Sequence, residues 1–435
     1  MNLIKPLKLL IVILITMNLL IKPAMAFCGF YVAKADTTLY NQASQVIIAR
    51  EGDRTILTMA NDYQGEVKDF ALVVPVPVVL KQDQVNVGKS QIIEKLDTFS
   101  APRLVEYFDS DPCAMYDRGI TSESDAFPAA PPALSMGKTR RNEALGVTVE
   151  EAFTVGEYDI AILSAKESDG LEIWLNENGY KIPRGASQLL QPYIKDKMKF
   201  FVARVNLEEY NKSGFNKLRP LKMAFESPKF MLPIRLGMIN AQKAQDLMIY
   251  LLTPKGEVEL TNYRNVKVPS NVDIPEFVQG EFGEFYQALF DRAYNREGQK
   301  VGFVEYAWDM AGCDPCVTEP LNPEELREAG VFWDPNRVFI TRLHVRYTRD
   351  KFPEDLRFQE TGNTQLFQGR YVIRHPYKGE MKCDAAQEYV SGVKRRQEQE
   401  AQTLASLTGW DINKIRSKID FVKAEPTPWW RRVFN

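Results

Sequence analysis

The stretch from Phe303 to Tyr347 constrains the fold more tightly than any other. It reads FVEYAWDMAGCDPC, then VTEPLNPEELREAG, then VFWDPNRVFITRLHVRY. The apolar run Val301 to Trp308 predicts a strand. Asn322 followed by Pro323 and Glu325 is a helix start, because an Asn side chain accepts from orphan amides, proline suits the first helical position and the glutamate closes a capping box. Gly330 ends that helix. From Arg337 to Thr348 the pattern alternates. Phe339, Leu343, Val345 and Tyr347 fall on one face, and Arg342, His344 and Arg346 on the other, the period-2 signature of a strand. A Cys-x-x-Cys turn, Cys313 to Cys316, lies between the first strand and the helix.

The N-terminus looks like an export signal. Lys5 and Lys8 precede an apolar run, Leu9 to Ile21, and Ala24-Met25-Ala26 supplies small residues for cleavage. The run is shorter than the ~20 apolar residues a membrane-spanning helix needs, which favours cleavage after Ala26 over an uncleaved anchor. Phe27 before Cys28 does not suit a lipoprotein. The expectation is an exported protein, periplasmic or extracellular. A formal charge of -2, from 55 basic and 57 acidic residues, argues against a nucleic-acid binder, which needs a basic excess to neutralise phosphates.

Downstream, Val46–Ala49 and Thr55–Met59 flank Glu51-Gly52-Asp53-Arg54 as a hairpin. Phe70 to Leu80 contains Pro75 and Pro77 and reads as an edge strand or the end of one, since proline cannot donate to a ladder. Ser90 reads as the cap of a helix carrying Ile92, Ile93 and Leu96, and Pro102 with Leu104, Val105, Tyr107 and Phe108 reads as a second. Residues 110–143, rich in Ser, Ala and Pro, read as a mobile loop, and their Pro128–Pro131 PxxP is too short to carry a partner assignment. Strands then alternate with short helices without a steady repeat. Glu276 to Tyr294 has the strongest helical periodicity, and its apolar stripe reads as core. A helix of about six turns follows Asp384 and ends at Gly409; docking on the body is favoured over pairing with another chain. The class is α+β. The parts are a leader (1–26), an N-terminal part (27–109), the loop (110–143), a central part (144–270), the Cys-x-x-Cys part (271–383) and a C-terminal helical extension with its tail (384–435).

FCGFYVAKAD, DYQGEVKDFALVVPVPVVL, SAPRLVEYF, CDPC and ITRLHVRY together resemble the bacterial domain-of-unknown-function 2330 family, over most of the chain to about Cys383. The resemblance implies an exported bacterial protein and carries over no catalytic residue.

Candidate chemistry centres on few residues. In an oxidising compartment the five cysteines, Cys28, Cys113, Cys313, Cys316 and Cys383, are expected to form disulfides. Cys313 and Cys316 pair with each other, or one of them joins Cys383, and Cys28 bridges Cys113. A thiolate of the Cys-x-x-Cys pair is the alternative, as in a thiol-disulfide oxidoreductase. However, Asp314 opposes thiolate formation, and Thr318-Glu319-Pro320 separates the motif from its helix, so the structural bridge ranks first. A metal reading adds His344, His375 and Cys383 but matches no zinc spacing; no metal and no cofactor is assigned. Arg342, His344 and Arg346 suit a carboxylate, phosphate or acidic glycan, against a plainer reading as an exposed basic face paired with local acids. No Gly-x-Ser-x-Gly occurs, and Gly137-Lys138-Thr139 lacks the first glycine of a P-loop. A carboxylate-pair hydrolase stays open but unlocalised. Trp429, Trp430, Arg431, Arg432 and Phe434 suit a membrane surface or packing on the body. The function expected is binding or scaffolding in the bacterial envelope, with an envelope partner or glycan.

Overall fold

The computed structural model describes residues 30–31, 40–41, 44–60, 63–64, 71–113, 146–178, 186–215, 217–238, 244–313, 319–381 and 383–422. The leader, most of the Pro/Ala/Ser-rich loop, Cys28, Cys316 and the Trp429–Phe434 tail lie outside them.

Two sheets form the body. In the larger, β16 (Arg264–Lys267), β18 (Val301–Asp309), β19 (Phe339–Tyr347), β14 (Gln245–Thr253), β3 (Ser44–Glu51), β4 (Arg54–Ala60), β12 (Leu221–Glu226) and β7 (Val85–Val87) follow one another, and β21 (Phe367–Gln368) pairs with β18. In the smaller the order is β1 (Phe30–Tyr31), β6 (Ala71–Val76), β11 (Lys199–Val205), β10 (Tyr158–Ala165), β9 (Val147–Val155). The main core lies between these sheets. Val46, Ile48, Leu247, Ile249, Leu343 and Val345 from one meet Leu72, Val74, Ile160, Ile162 and Phe201 from the other. Alternation along each strand sends every second side chain inward.

Helices cover the outer faces. Leu171 and Leu175 of α2 (Ser168–Glu177) and Leu190 and Tyr193 of α3 (Ala186–Lys195) pack on Val73, Leu163 and Phe200 of the smaller sheet. On the larger sheet, Ile92, Ile93, Leu96 and Phe99 of α1 (Ser90–Ser100) and Leu326 of α6 (Pro323–Glu328) meet Tyr250, Tyr306 and Ile340. The Asn322–Glu325 capping box forms as its residues predict. Between these stretches lies α4 (Leu207–Ser213), capped by Asn206, a helix the periodicity does not signal.

The periodic 276–294 stretch divides into a 3-10 turn, Glu276–Glu281, and α5 (Phe282–Arg296). Phe285 and Leu289 of α5 pack with Ala401 and Leu404 of α7 (Ala385–Thr408) and Ile415 of α8 (Ile412–Lys418). The C-terminal helices thus dock on the body. A small parallel sheet, β17 (Val272–Asp273), β22 (Arg370–His375) and β8 (Arg103–Phe108), lies beneath. Another short sheet joins β13 (Met231–Leu232), β20 (Leu356–Glu360) and β15 (Val258–Leu260), and β2 (Tyr40–Asn41) pairs with β5 (Tyr63–Gln64).

Two local readings change. The residues after Pro102 form β8 and not a helix: Leu104 through Phe108 pair in parallel with Tyr371 through His375. The aromatic and β-branched side chains of Val105, Tyr107 and Phe108 suit the pleat, and β22 offers them an edge to pair with. The proline-bearing strand β6 is flanked on both sides. Among the described residues, β1 pairs with Val73 and Leu72 on one side, and β11 pairs with Ala71 through Val76 on the other.

Candidate functional site

Among the described residues, the outer face of β19 carries the most heavily charged group of buried side chains. A β-bulge makes it. Along β18, Val304 pairs with Leu343 and Tyr306 with Arg342, so Glu305 is the extra residue between them. A bulge re-aims side chains, and here Glu305 and Tyr306 both leave the inner face. Glu305 has no exposed side-chain surface. It accepts from Arg342 Nε at 2.6 Å, from His344 Nδ1 at 2.8 Å and from the Tyr286 hydroxyl.

From this centre the charges alternate outward. His344 Nε2 lies 2.9 Å from Asp246 Oδ1 on β14. Arg346 forks onto both oxygens of Asp246 at 2.7 and 2.9 Å and also reaches Asp291 of α5. On the other side, Arg342 pairs with Asp97 of α1 at 2.7 Å, and Tyr250 donates to the same carboxylate. Phe290 stacks on the His344 ring at a centroid separation of 3.8 Å.

Burial alone would push both central carboxyls up, but their cationic partners win. Glu305 is held down to about 2 chiefly by the Arg342 and His344 charges, and Asp246 to about 2 by His344 and Arg346. For His344, burial favours the neutral ring, yet Glu305 and Asp246 together raise its pKa. With an ionised carboxylate on each nitrogen the ring must donate twice, so it is an imidazolium. A doubly donating, buried imidazolium takes no proton from a substrate.

Two ligand-sized spaces lie elsewhere: one of about 440 Å³ between α5 and α8, and one beside α3 that holds a buried carboxylate. A groove of about 420 Å³ opens between α3, the Arg235–Met238 turn and β20. Its floor is Asp355, 3 % exposed. This carboxylate accepts from Tyr193 Oη at 2.7 Å, from the Ile234 amide at 2.9 Å, and from the Arg235 amide and Nε at 3.2 Å each. Met198, Met231 and Phe358 form apolar walls, and Lys229 and Arg357 stand among the lining residues.

A family model described as "uncharacterized protein conserved in bacteria (DUF2330)" matches residues 22–359. The chain belongs to this family. No curated protein and no solved structure matches it. The DUF2330 span contains the whole charged cluster and every lining residue of the groove, whereas β22, α7 and α8 lie beyond it.

In this DUF2330 chain, Arg342, His344 and Arg346 do share one strand face and pair with acids. The face is not exposed: Arg342 and His344 are buried beneath α1 and α5, and the Arg346 side chain is only 21 % exposed. It therefore offers no open surface to a ligand. The second histidine is likewise engaged, with His375 Nε2 at 2.7 Å from Glu106, Nδ1 at 3.2 Å from Glu276, and its ring on Phe108.

Cys113 bonds to Cys383, not to Cys28, and ties the end of β8 to the start of α7. β8 and β22 run in parallel and deliver both segments to one place, which the spacing of 270 residues gives no hint of. Cys313 is also disulfide-bonded. Cys28 and Cys316 lie outside the described residues. His344, His375 and Cys383, weighed as metal ligands, are each committed to the partners above.

Proposed function

We propose that this protein is an exported binding protein of the bacterial envelope that takes a small ligand in the groove floored by Asp355. The observation that carries the reading is a buried carboxylate, Asp355, fixed by four hydrogen bonds at the floor of a groove of about 420 Å³, within the range of small-molecule sites. Both histidines are saturated by carboxylates, which speaks for binding over His-dependent hydrolysis. The leader-like N-terminus and the Cys113–Cys383 bridge support an oxidising, extracytoplasmic destination.

A thermal-shift panel of sugars, sugar acids and organic acids on the full chain tests the reading. A true ligand at a hundred times its Kd adds about 2.7 kcal/mol of stability. Thr261→Trp, which fills the groove from its exposed rim, should abolish that gain. Stabilisation that survives this substitution for every active compound overturns the assignment.

A further inference from the structure

The charges around the groove are unequal, and the excess is cationic. Lys229, Arg235 and Arg357 line it against Asp196 and Asp355. Asp355 is spent on Arg235, Tyr193 and two backbone amides. Asp196 is spent on Lys229 at 3.0 Å. Arg357 is different. Its one ion pair among the described residues is with Glu354 at 3.8 Å, between side chains 63 % and 54 % exposed. That separation is too long for a charge-assisted hydrogen bond, and solvent screens so exposed a pair. Arg357 thus brings a planar five-donor fork to the mouth of the groove. Beside it, the Phe230 and Phe358 rings stand 5.2 Å apart, and Met198 and Met231 complete an apolar wall.

Resting on the groove as the binding site, we infer that its ligand is a small organic monoanion with a flat apolar body, the anionic group seated on Arg357 and the body against Phe358 and Phe230. A neutral sugar would leave the guanidinium without an anion. A polyanion would bring a second charge towards Asp355 and Asp196. A single carboxylate or sulfonate matches the one-cation excess. Arg357 of β20 pairs directly with Met231 of β13, so the fork and the adjoining apolar wall are positioned by the same short sheet.

Two fluorescent probes of almost equal shape separate charge from shape: 8-anilinonaphthalene-1-sulfonate and its neutral parent, N-phenyl-1-naphthylamine. Each is titrated into the full chain, into Arg357→Ala and into Thr261→Trp. The sulfonate should bind at least tenfold more tightly than the neutral parent. Arg357→Ala should remove that preference, leaving the two within threefold, while Thr261→Trp should abolish binding of both. Equal affinity of the two probes, lost in Thr261→Trp but indifferent to Arg357→Ala, overturns the anion assignment and leaves the groove standing. Failure of both probes to bind the parent chain, or binding that persists in Thr261→Trp, overturns the groove as well. Because Arg357 and Thr261 are both exposed, circular dichroism matching the parent is expected for each variant.

Discussion

Replacing Glu305 by glutamine removes one charge from the centre of the buried network while keeping the side chain's shape. The amide still faces Arg342 Nε and His344 Nδ1, but one of its two ends now presents donors to donors. The depression of the Glu305 carboxyl to about 2 corresponds to roughly 3 kcal/mol of folding stability at neutral pH. Removing one partner of a buried ion pair costs about 3–5 kcal/mol by a separate route, and the two estimates overlap. Urea unfolding at pH 7 should therefore show a midpoint lower by roughly 1 M, for a slope near 3 kcal/mol/M. The pH dependence has a definite sign. A carboxyl depressed in the folded state contributes stability above its ordinary pKa and loses it as pH falls towards the folded value. The gap between parent and Glu305→Gln should thus be full at pH 6–7 and should narrow as pH falls from about 4.5 towards 2. A Glu305→Gln protein within about 0.5 kcal/mol of the parent, the range of an ordinary surface change, would refute the network as a stabilising core.

Other outcomes follow from the same reasoning. Glu400 of α7 is 5 % exposed, its Oε1 lacks a hydrogen bond although Arg396 lies 3.5 Å away, and burial raises its pKa to about 7. A raised carboxyl stabilises below its ordinary pKa and loses that contribution as pH rises through 7. Unfolding by urea should therefore show roughly 2 kcal/mol less stability at pH 8 than at pH 5 from this group, and Glu400→Gln should flatten that dependence. Reduction of Cys113–Cys383, or the paired serine variant, should cost about 2–5 kcal/mol, because the bridge closes a loop of 270 residues in the unfolded chain; non-reducing peptide mapping should recover this pair and not Cys28–Cys113. Exported protein should begin at Phe27 by N-terminal sequencing, and Met1 retained in a membrane fraction would contradict the leader.

Much of the fold was legible because local patterns carry it. The β3–β4 hairpin, the capped helix at Pro323, the alternation of β19 and the C-terminal helix ending at Gly409 each rest on residues close together in the chain. So did the α+β class and the family resemblance. One clue to the charged cluster was also present: Glu305 stands inside FVEYAW, and a charge in a strand that apolar needs at both faces must find a partner. The partner's identity was not there. Asp246 lies 98 residues from His344, and Asp97 lies 245 from Arg342.

What tertiary structure alone decided is which side of each pattern becomes interior. An alternating strand has two faces, and alternation does not say whether the polar one meets water or a helix; α1 and α5 cover the Arg342–His344–Arg346 face and turn an apparent binding surface into a buried ion network. The same holds for the groove. Tyr193, Arg235, Asp355 and Arg357 belong to three separated segments with no shared motif, and only the pairing of β13 with β20 under α3 brings them together. Sequence settles local conformation through steric and capping preferences that act over a few residues. Sites assembled by long-range strand pairing and helix packing depend on contacts whose partners no short pattern names.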